Sequence, residues 1–399
     1  MKLSLAGLLL ASAFLLSVPA CRDQQPEPDS KIQLAQPGNR YFVSATLLGE
    51  FTAEQLEGRS PVPLPVRLPY GIRAYKIVYK TPNTDGTELQ ASGALLVPVT
   101  PENRIPNGLM SQQHGTITND ADAPSYYNRS SEAYSYGSVF AALGYAVACP
   151  DYIGYGESRQ VPHPYEHRQS LATASLDMIR ASQEFFQNNK TTGYERLFIA
   201  GYSQGGFATM SLQKMIEEQF PNELNLVASA CGAGAYNKTR FMQALANDTT
   251  ASNPAFNMSY VWVLLTYNRV YGINRPVSFY FREPYAAEVQ SRQQNARIPV
   301  RISQALTDGF KQASTSATDP FVRAVADNDV YDWRPRTPTR LFHGTADDYV
   351  FFFNSQDAFN AMRARGATRV ELVPLTGRNH ESAVPFFALG VYTYFQSFK

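Results

Sequence analysis

Cysteine is scarce in this chain of 399 residues: there are three, and one of them, Cys21, directly follows the N-terminal leader. The other two, Cys149 and Cys231, each close an apolar run suited to a strand, Tyr145 to Cys149 and Leu226 to Cys231. They read as small buried residues, and no disulfide framework or thiolate metal site follows from such a pair. Excess charge of one sign is also missing, with 35 Lys+Arg against 34 Asp+Glu. No basic stripe interleaved with aromatics is present, so nucleic acid is not the expected partner. The apolar stretch Leu3 to Val18 is too short to favour a membrane span.

The leader has its own logic. Lys2 gives a positive start, Leu3 to Val18 an apolar run, and Pro19-Ala20 small residues before Cys21, so residues 1–20 read as a signal peptide. Val18-Pro19-Ala20-Cys21 is a lipobox-like sequence, which predicts lipid attachment at Cys21 and export to a bacterial cell envelope, or secretion if the cysteine stays unmodified. Residues 21–40, rich in Gln, Pro, Asp and Glu, then read as a lipidated flexible tether, the chain's only expected link to a membrane.

Aromatic side chains are abundant, with 24 Tyr and 24 Phe. Most must fill cores, but a share can line a pocket for an apolar or ring-bearing substrate. Thr52-Ala53-Glu54-Gln55 has the capping-box pattern of a short helix, and Pro61, Pro63, Pro65 and Pro69 make an extended connector. Two β-rich runs, Ala74 to Thr81 and Leu89 to Val99, flank an Asp85-Gly86 turn and predict a hairpin that opens a sheet. Helix and strand then alternate: a helix over 136–143, a strand over 145–149, a helix over 170–188, a strand over 196–200 and a helix over 206–220. That rhythm argues a mostly parallel α/β sheet with helices on both faces.

It breaks at residue 232. Residues 232–336, rich in Asn, Tyr and Phe, carry helical patches and no strand pattern; the rhythm resumes at Thr339 and closes with a helix over 384–398. The chain thus divides into a core of residues 41–231 and 337–399, with 232–336 inserted as a helical cap over the carboxyl ends of the strands.

Chemistry concentrates at Gly201-Tyr202-Ser203-Gln204-Gly205, a G-x-S-x-G sequence set between a buried strand and a helix. That context makes a nucleophile elbow, with glycines where strand and helix approach closely. A serine hydroxyl needs a histidine to take its proton and an acid to hold that histidine in the right tautomer. Asp347, in the loop after the 339–343 strand, and His380, in the loop after the last strand, follow Ser203 in that order. Asp348 is the neighbouring alternative for the acid. An oxyanion would be held by the backbone N–H of Gln204 and by that of Thr116, with Gly115 as the other possibility. His114 and His343 read as loop-fixing residues. His163 and His167 could suggest a metal pair, but Pro164 between them and the absence of an HEXXH pattern argue for no metal site.

These stretches resemble one family, the secreted lipases and esterases of the α/β-hydrolase fold, of the fungal secretory lipase and bacterial LipA-like kind. The resemblance rests on Gln113-His-Gly-Thr116, Pro150-Asp-Tyr-Ile-Gly-Tyr-Gly156, His163-Pro-Tyr165, Gly201-Tyr-Ser-Gln-Gly-Gly206, Gly232-Ala-Gly-Ala-Tyr236 and His343-Gly-Thr-Ala-Asp347. It implies a Ser203, Asp347, His380 triad and a cap that shapes acyl and alcohol pockets. The chain departs from the family at Asn379-His380-Glu381, where Gly-His is common.

The expectation is a serine hydrolase that cleaves carboxylic esters, small or linked to a polysaccharide, through an acyl-enzyme and without a cofactor. A serine peptidase on the same fold and a surface binding protein without chemistry are the alternatives. Acyl length, the alcohol part and oligomeric state are not legible.

Overall fold

A computed structural model describes residues 32–59, 67–101, 104–247 and 252–399. The predicted signal peptide, the Cys21 attachment site and Pro61, Pro63 and Pro65 lie outside the described residues. Ten strands form one sheet in the order β1-β2-β3-β4-β6-β5-β7-β8-β9-β10. They are β1 Ile32–Leu34, β2 Phe42–Phe51, β3 Gly71–Pro82, β4 Glu88–Val99, β5 Gly108–Gln113, β6 Tyr145–Pro150, β7 Arg196–Tyr202, β8 Asn225–Gly232, β9 Thr339–Gly344 and β10 Val370–Leu375.

The first four strands pair antiparallel, and β6 through β10 run parallel to one another with β5 between β6 and β7. The expected hairpin is β3 with β4, in register from Pro82 opposite Glu88 to Gly71 opposite Val99. Gly86 closes its turn at φ 85°, a left-handed conformation that glycine adopts without a Cβ penalty. Two expectations need correction. Part of the expected tether is ordered, because Ile32–Leu34 pairs with β2. Ahead of the capped helix Ala53–Glu57, residues 42–51 form a strand that periodicity did not reveal.

Strand side chains alternate between two apolar layers. In β6, Tyr145, Val147 and Cys149 join one layer while Ala146 and Ala148 join the other; in β7, Phe198 and Ala200 oppose Leu197 and Ile199. The first layer is closed by the C-terminal helix Val384–Gln396, the second by the helices Arg168–Asn188 and Gln204–Gln219. Full burial of each large aliphatic side chain in these layers contributes roughly 1.5–3 kcal/mol.

Between β8 and β9 the chain makes a run of helices from Lys238–Asn247 to Pro320–Asp327, with no strand of the sheet among its described residues. These helices share an apolar cluster of their own, built on Phe241, Tyr267, Tyr280, Phe310 and Phe321 and extended to Val350 and Phe351 beyond β9. Late in this run two short helices, Ile302–Ala305 and Asp308–Ala313, follow one another, because Thr307 caps a new start at Asp308.

Candidate active site

Ser203 sits at the junction of β7 and the helix Gln204–Gln219 with φ 60° and ψ −123°, a combination that costs an L-residue roughly 1–3 kcal/mol. Its surroundings enforce the turn. A Cβ on Gly201 would lie 2.4 Å from the Gly205 carbonyl oxygen, one on Gly205 2.1 Å from that of Gln113, and one on Gly206 2.0 Å from that of Gly232. The Ser203 amide donates to the Gly232 carbonyl at 2.9 Å, which ties the elbow to the end of β8.

Three side chains far apart in sequence converge at the carboxyl ends of β7, β9 and β10. His380 Nε2 lies 2.9 Å from Ser203 Oγ, and His380 Nδ1 lies 2.7 Å from Asp347 Oδ2. Asp347 Oδ1 accepts from the amides of Tyr349 and Val350 at 3.0 and 2.9 Å. Burial alone would raise the Asp347 carboxyl, but hydrogen bonds from His343 and His380 outweigh it and hold the group at about 2. Asp348 turns elsewhere and accepts from the Asn253 side-chain amide at 2.9 Å.

The neighbouring histidines brace this arrangement. His343 is fully buried, with Nε2 2.7 Å from the Val350 carbonyl and 3.2 Å from Asp347 Oδ2, and Nδ1 2.8 Å from Ser355 Oγ. His163 and His167 do not converge: His167 Nδ1 lies 3.0 Å from Ser170 Oγ, whereas His163 Nδ1 reaches the Ile153 carbonyl at 2.6 Å and its Nε2 the Gln204 side-chain amide at 2.8 Å. A carbonyl can only accept, so His163 carries its proton on Nδ1 and accepts from Gln204 on Nε2. Burial drives this imidazole down to about 3 and keeps it neutral. His114 faces the Gly115 and Asp151 carbonyls, a loop-fixing place.

Sequence spacing gave no sign of three further residues. The Tyr202 hydroxyl donates to the His380 backbone carbonyl at 2.7 Å, and the Tyr349 ring stands edge-on to the His380 imidazole, 4.7 Å between centroids. The Glu132 carboxylate accepts the Gly115 amide at 3.0 Å, and its burial pushes that carboxyl up. Gly115 therefore has no amide hydrogen left for a ligand, whereas among the described residues the Thr116 and Gln204 amides donate to no protein group. The His380 loop, unusual in lacking a glycine beside the histidine, is fastened instead by the Ala346 amide on the Arg378 carbonyl and by the Gly377 amide on Thr345 Oγ1.

Two cavities meet at Ser203. One runs beneath the cap between Phe241, Leu245, Leu264, Phe281, Phe310 and Val350. The other lies between residues 112–116, Glu132 and the start of the C-terminal helix, and also holds His380.

The sheet order, the elbow and the helical insert define an α/β-hydrolase. The sequence pattern of the secretory lipase family matches residues 135–388, and the chain belongs to that family. Among solved structures it is similar to the rice cell wall degrading esterase LipA of Xanthomonas oryzae, with 26% identity over 88% of this chain and 95% of that one and a TM-score of 0.76. A Legionella pneumophila protein described as a hydrolase is 25% identical over 90% of this chain and 98% of that one, with a TM-score of 0.80. Candida antarctica lipase A shares the fold at 16% identity, covering 82% of this chain and 78% of that one with a TM-score of 0.62. Comparison with curated protein sequences finds no significant match. The chain is an exported carboxylic-ester hydrolase of the lipase and esterase kind.

Proposed function

We propose that this hydrolase works through an acyl-enzyme on Ser203. The hydroxyl attacks the ester carbonyl, His380 takes its proton, and Asp347 orients His380 and stabilises the imidazolium that forms. The developing oxyanion is held by the amides of Gln204 and Thr116. His380 then returns the proton to the leaving alcohol, and a water activated by the same imidazole releases the acid. The observation that carries the reading is the unbroken line Ser203 Oγ, His380 Nε2, His380 Nδ1, Asp347 Oδ2, with links of 2.9 and 2.7 Å.

The apolar cavity under the cap suits the acyl chain, and the cavity beside Thr116 and Glu132 takes the alcohol. Likeness to a rice cell wall degrading esterase brings esters carried on polysaccharides into the substrate range beside small ones. A lipid on Cys21 would hold the enzyme at the cell envelope. Replacing Ser203 by alanine tests the reading: the folded variant should lose turnover of a p-nitrophenyl ester, and unchanged turnover would reject it.

A further inference from the structure

The wall of the cap cavity contains a feature that an alkyl chain does not require. Lys238 and Glu166 both line it, and their side chains form an ion pair with only 5% and 10% of their surface exposed. Each residue stands where local preference is against it. Lys238 is the first residue of the helix Lys238–Asn247, a cation at the end where the helix dipole is positive. Glu166 sits at φ 53°, in the left-handed region that residues carrying a Cβ rarely adopt. Departures from local rules that converge on one spot mark a functional requirement more often than a structural one.

The pair also has hydrogen-bonding capacity in reserve. An ammonium has three N–H donors and a carboxylate two acceptor oxygens. Lys238 Nζ meets Glu166 Oε2 and lies 4.0 Å above the Phe207 ring, and among the described residues Glu166 Oε1 accepts from no protein donor. Both residues line the cavity, so that capacity is open to a ligand or to water.

We infer that the Lys238–Glu166 pair recognises a hydroxyl group on the acyl part of the ester, which makes the preferred substrates esters of hydroxy acids. The inference rests on the assignment of the cap cavity to the acyl chain. A neutral pair that offers one N–H and one carboxylate oxygen side by side matches a hydroxyl, which accepts and donates at once. A substrate carboxylate would meet Glu166 and a substrate ammonium would meet Lys238, so neither fits. Phe207 follows Ser203 by one helical turn, its amide bonded to the Ser203 carbonyl, so the pair stands toward the ester end of the cavity.

The test compares methyl hexanoate with the methyl esters of 2-, 3- and 6-hydroxyhexanoic acid by pH-stat on the full chain. The expected result is that the 2- or 3-hydroxy ester exceeds the parent in kcat/KM by about tenfold, the scale of one hydrogen bond to a charged group. The 6-hydroxy ester should gain nothing. Removing one charge alone could unfold the protein, so the variant of choice replaces both, Lys238→Met with Glu166→Gln, and the ratio of hydroxy to parent ester should fall to about one. Hydrolysis of methyl hexanoate with no hydroxy ester preferred, or a preference that survives the double variant, overturns the inference and leaves Ser203 chemistry standing. Hydrolysis of none of the four esters overturns both.

Discussion

The hydroxyl of Tyr202 donates a 2.7 Å hydrogen bond to the main-chain carbonyl of His380, joining the residue before Ser203 to the histidine proposed to activate it. The elbow and the histidine loop are thereby fixed as one unit. Their hydroxyl and imidazole meet without either loop having to move.

Tyr202→Phe should therefore weaken catalysis without altering the fold. The His380 carbonyl would lose its partner, at a cost of about 1 kcal/mol. We expect kcat to fall roughly fivefold with KM nearly constant. Steady-state kinetics with a p-nitrophenyl ester, beside a thermal melt, check this; an unchanged kcat would mean that the loop is held by other contacts.

The two adjacent aspartates should separate sharply. Asp347→Asn leaves the side chain in place but removes the charge proposed to orient His380, and kcat should fall by roughly a thousand- to ten-thousandfold. Asp348→Asn changes a group bonded to Asn253, so activity should stay within about twofold. The reverse ranking would assign the acid to Asp348.

The elbow glycines are required by contact. Gly205→Ala would press a methyl group to 2.1 Å from the Gln113 carbonyl oxygen, and Gly206→Ala would press one to 2.0 Å from that of Gly232. Each should cost roughly 3–5 kcal/mol, seen as a fall in Tm of about 4–6 °C for a chain of 399 residues. A variant that melts like the wild type would contradict the tight turn.

Much of this was legible before the fold was known, because the sequence records backbone constraints directly. Gly201, Gly205 and Gly206 announce an elbow since no other residue fits those approaches. The alternation of apolar runs marks the strands that carry Ser203, Asp347 and His380. Strand β2 was not legible: its pattern over Phe42–Phe51 is mostly half-buried, with bulges after Phe42 and Leu47 that break the period of two. The parts of Glu132, Tyr202 and Tyr349 escaped for another reason. Their parts depend on which loops meet across the sheet, and no local pattern encodes that.

Acid should destabilise the protein through its buried neutral histidines. His163 is driven down to about 3 and His167 to about 4, both chiefly by burial. The unfolded chain binds these protons near pH 6.5. Between that pH and the folded values, the unfolded state holds protons that the folded state refuses, so stability falls as pH is lowered. Asp151, raised by burial to about 6, acts oppositely between about pH 6 and 4, since the folded state takes up its proton first. The His163 contribution is isolated by difference. Unfolding free energies from urea titrations of the wild type and His163→Gln between pH 7 and 4 should converge on acidification, at up to about 1.4 kcal/mol per pH unit. Parallel curves would show that His163 titrates normally in the fold.

Acyl-enzyme catalysis requires a covalent bond to one oxygen atom, Ser203 Oγ. Treating the protein with a fluorophosphonate and mapping its peptides by mass spectrometry should give a single adduct on Ser203, absent in Ser203→Ala and strongly slowed in Asp347→Asn. An adduct on another residue, or none on a protein that still hydrolyses esters, would contradict it.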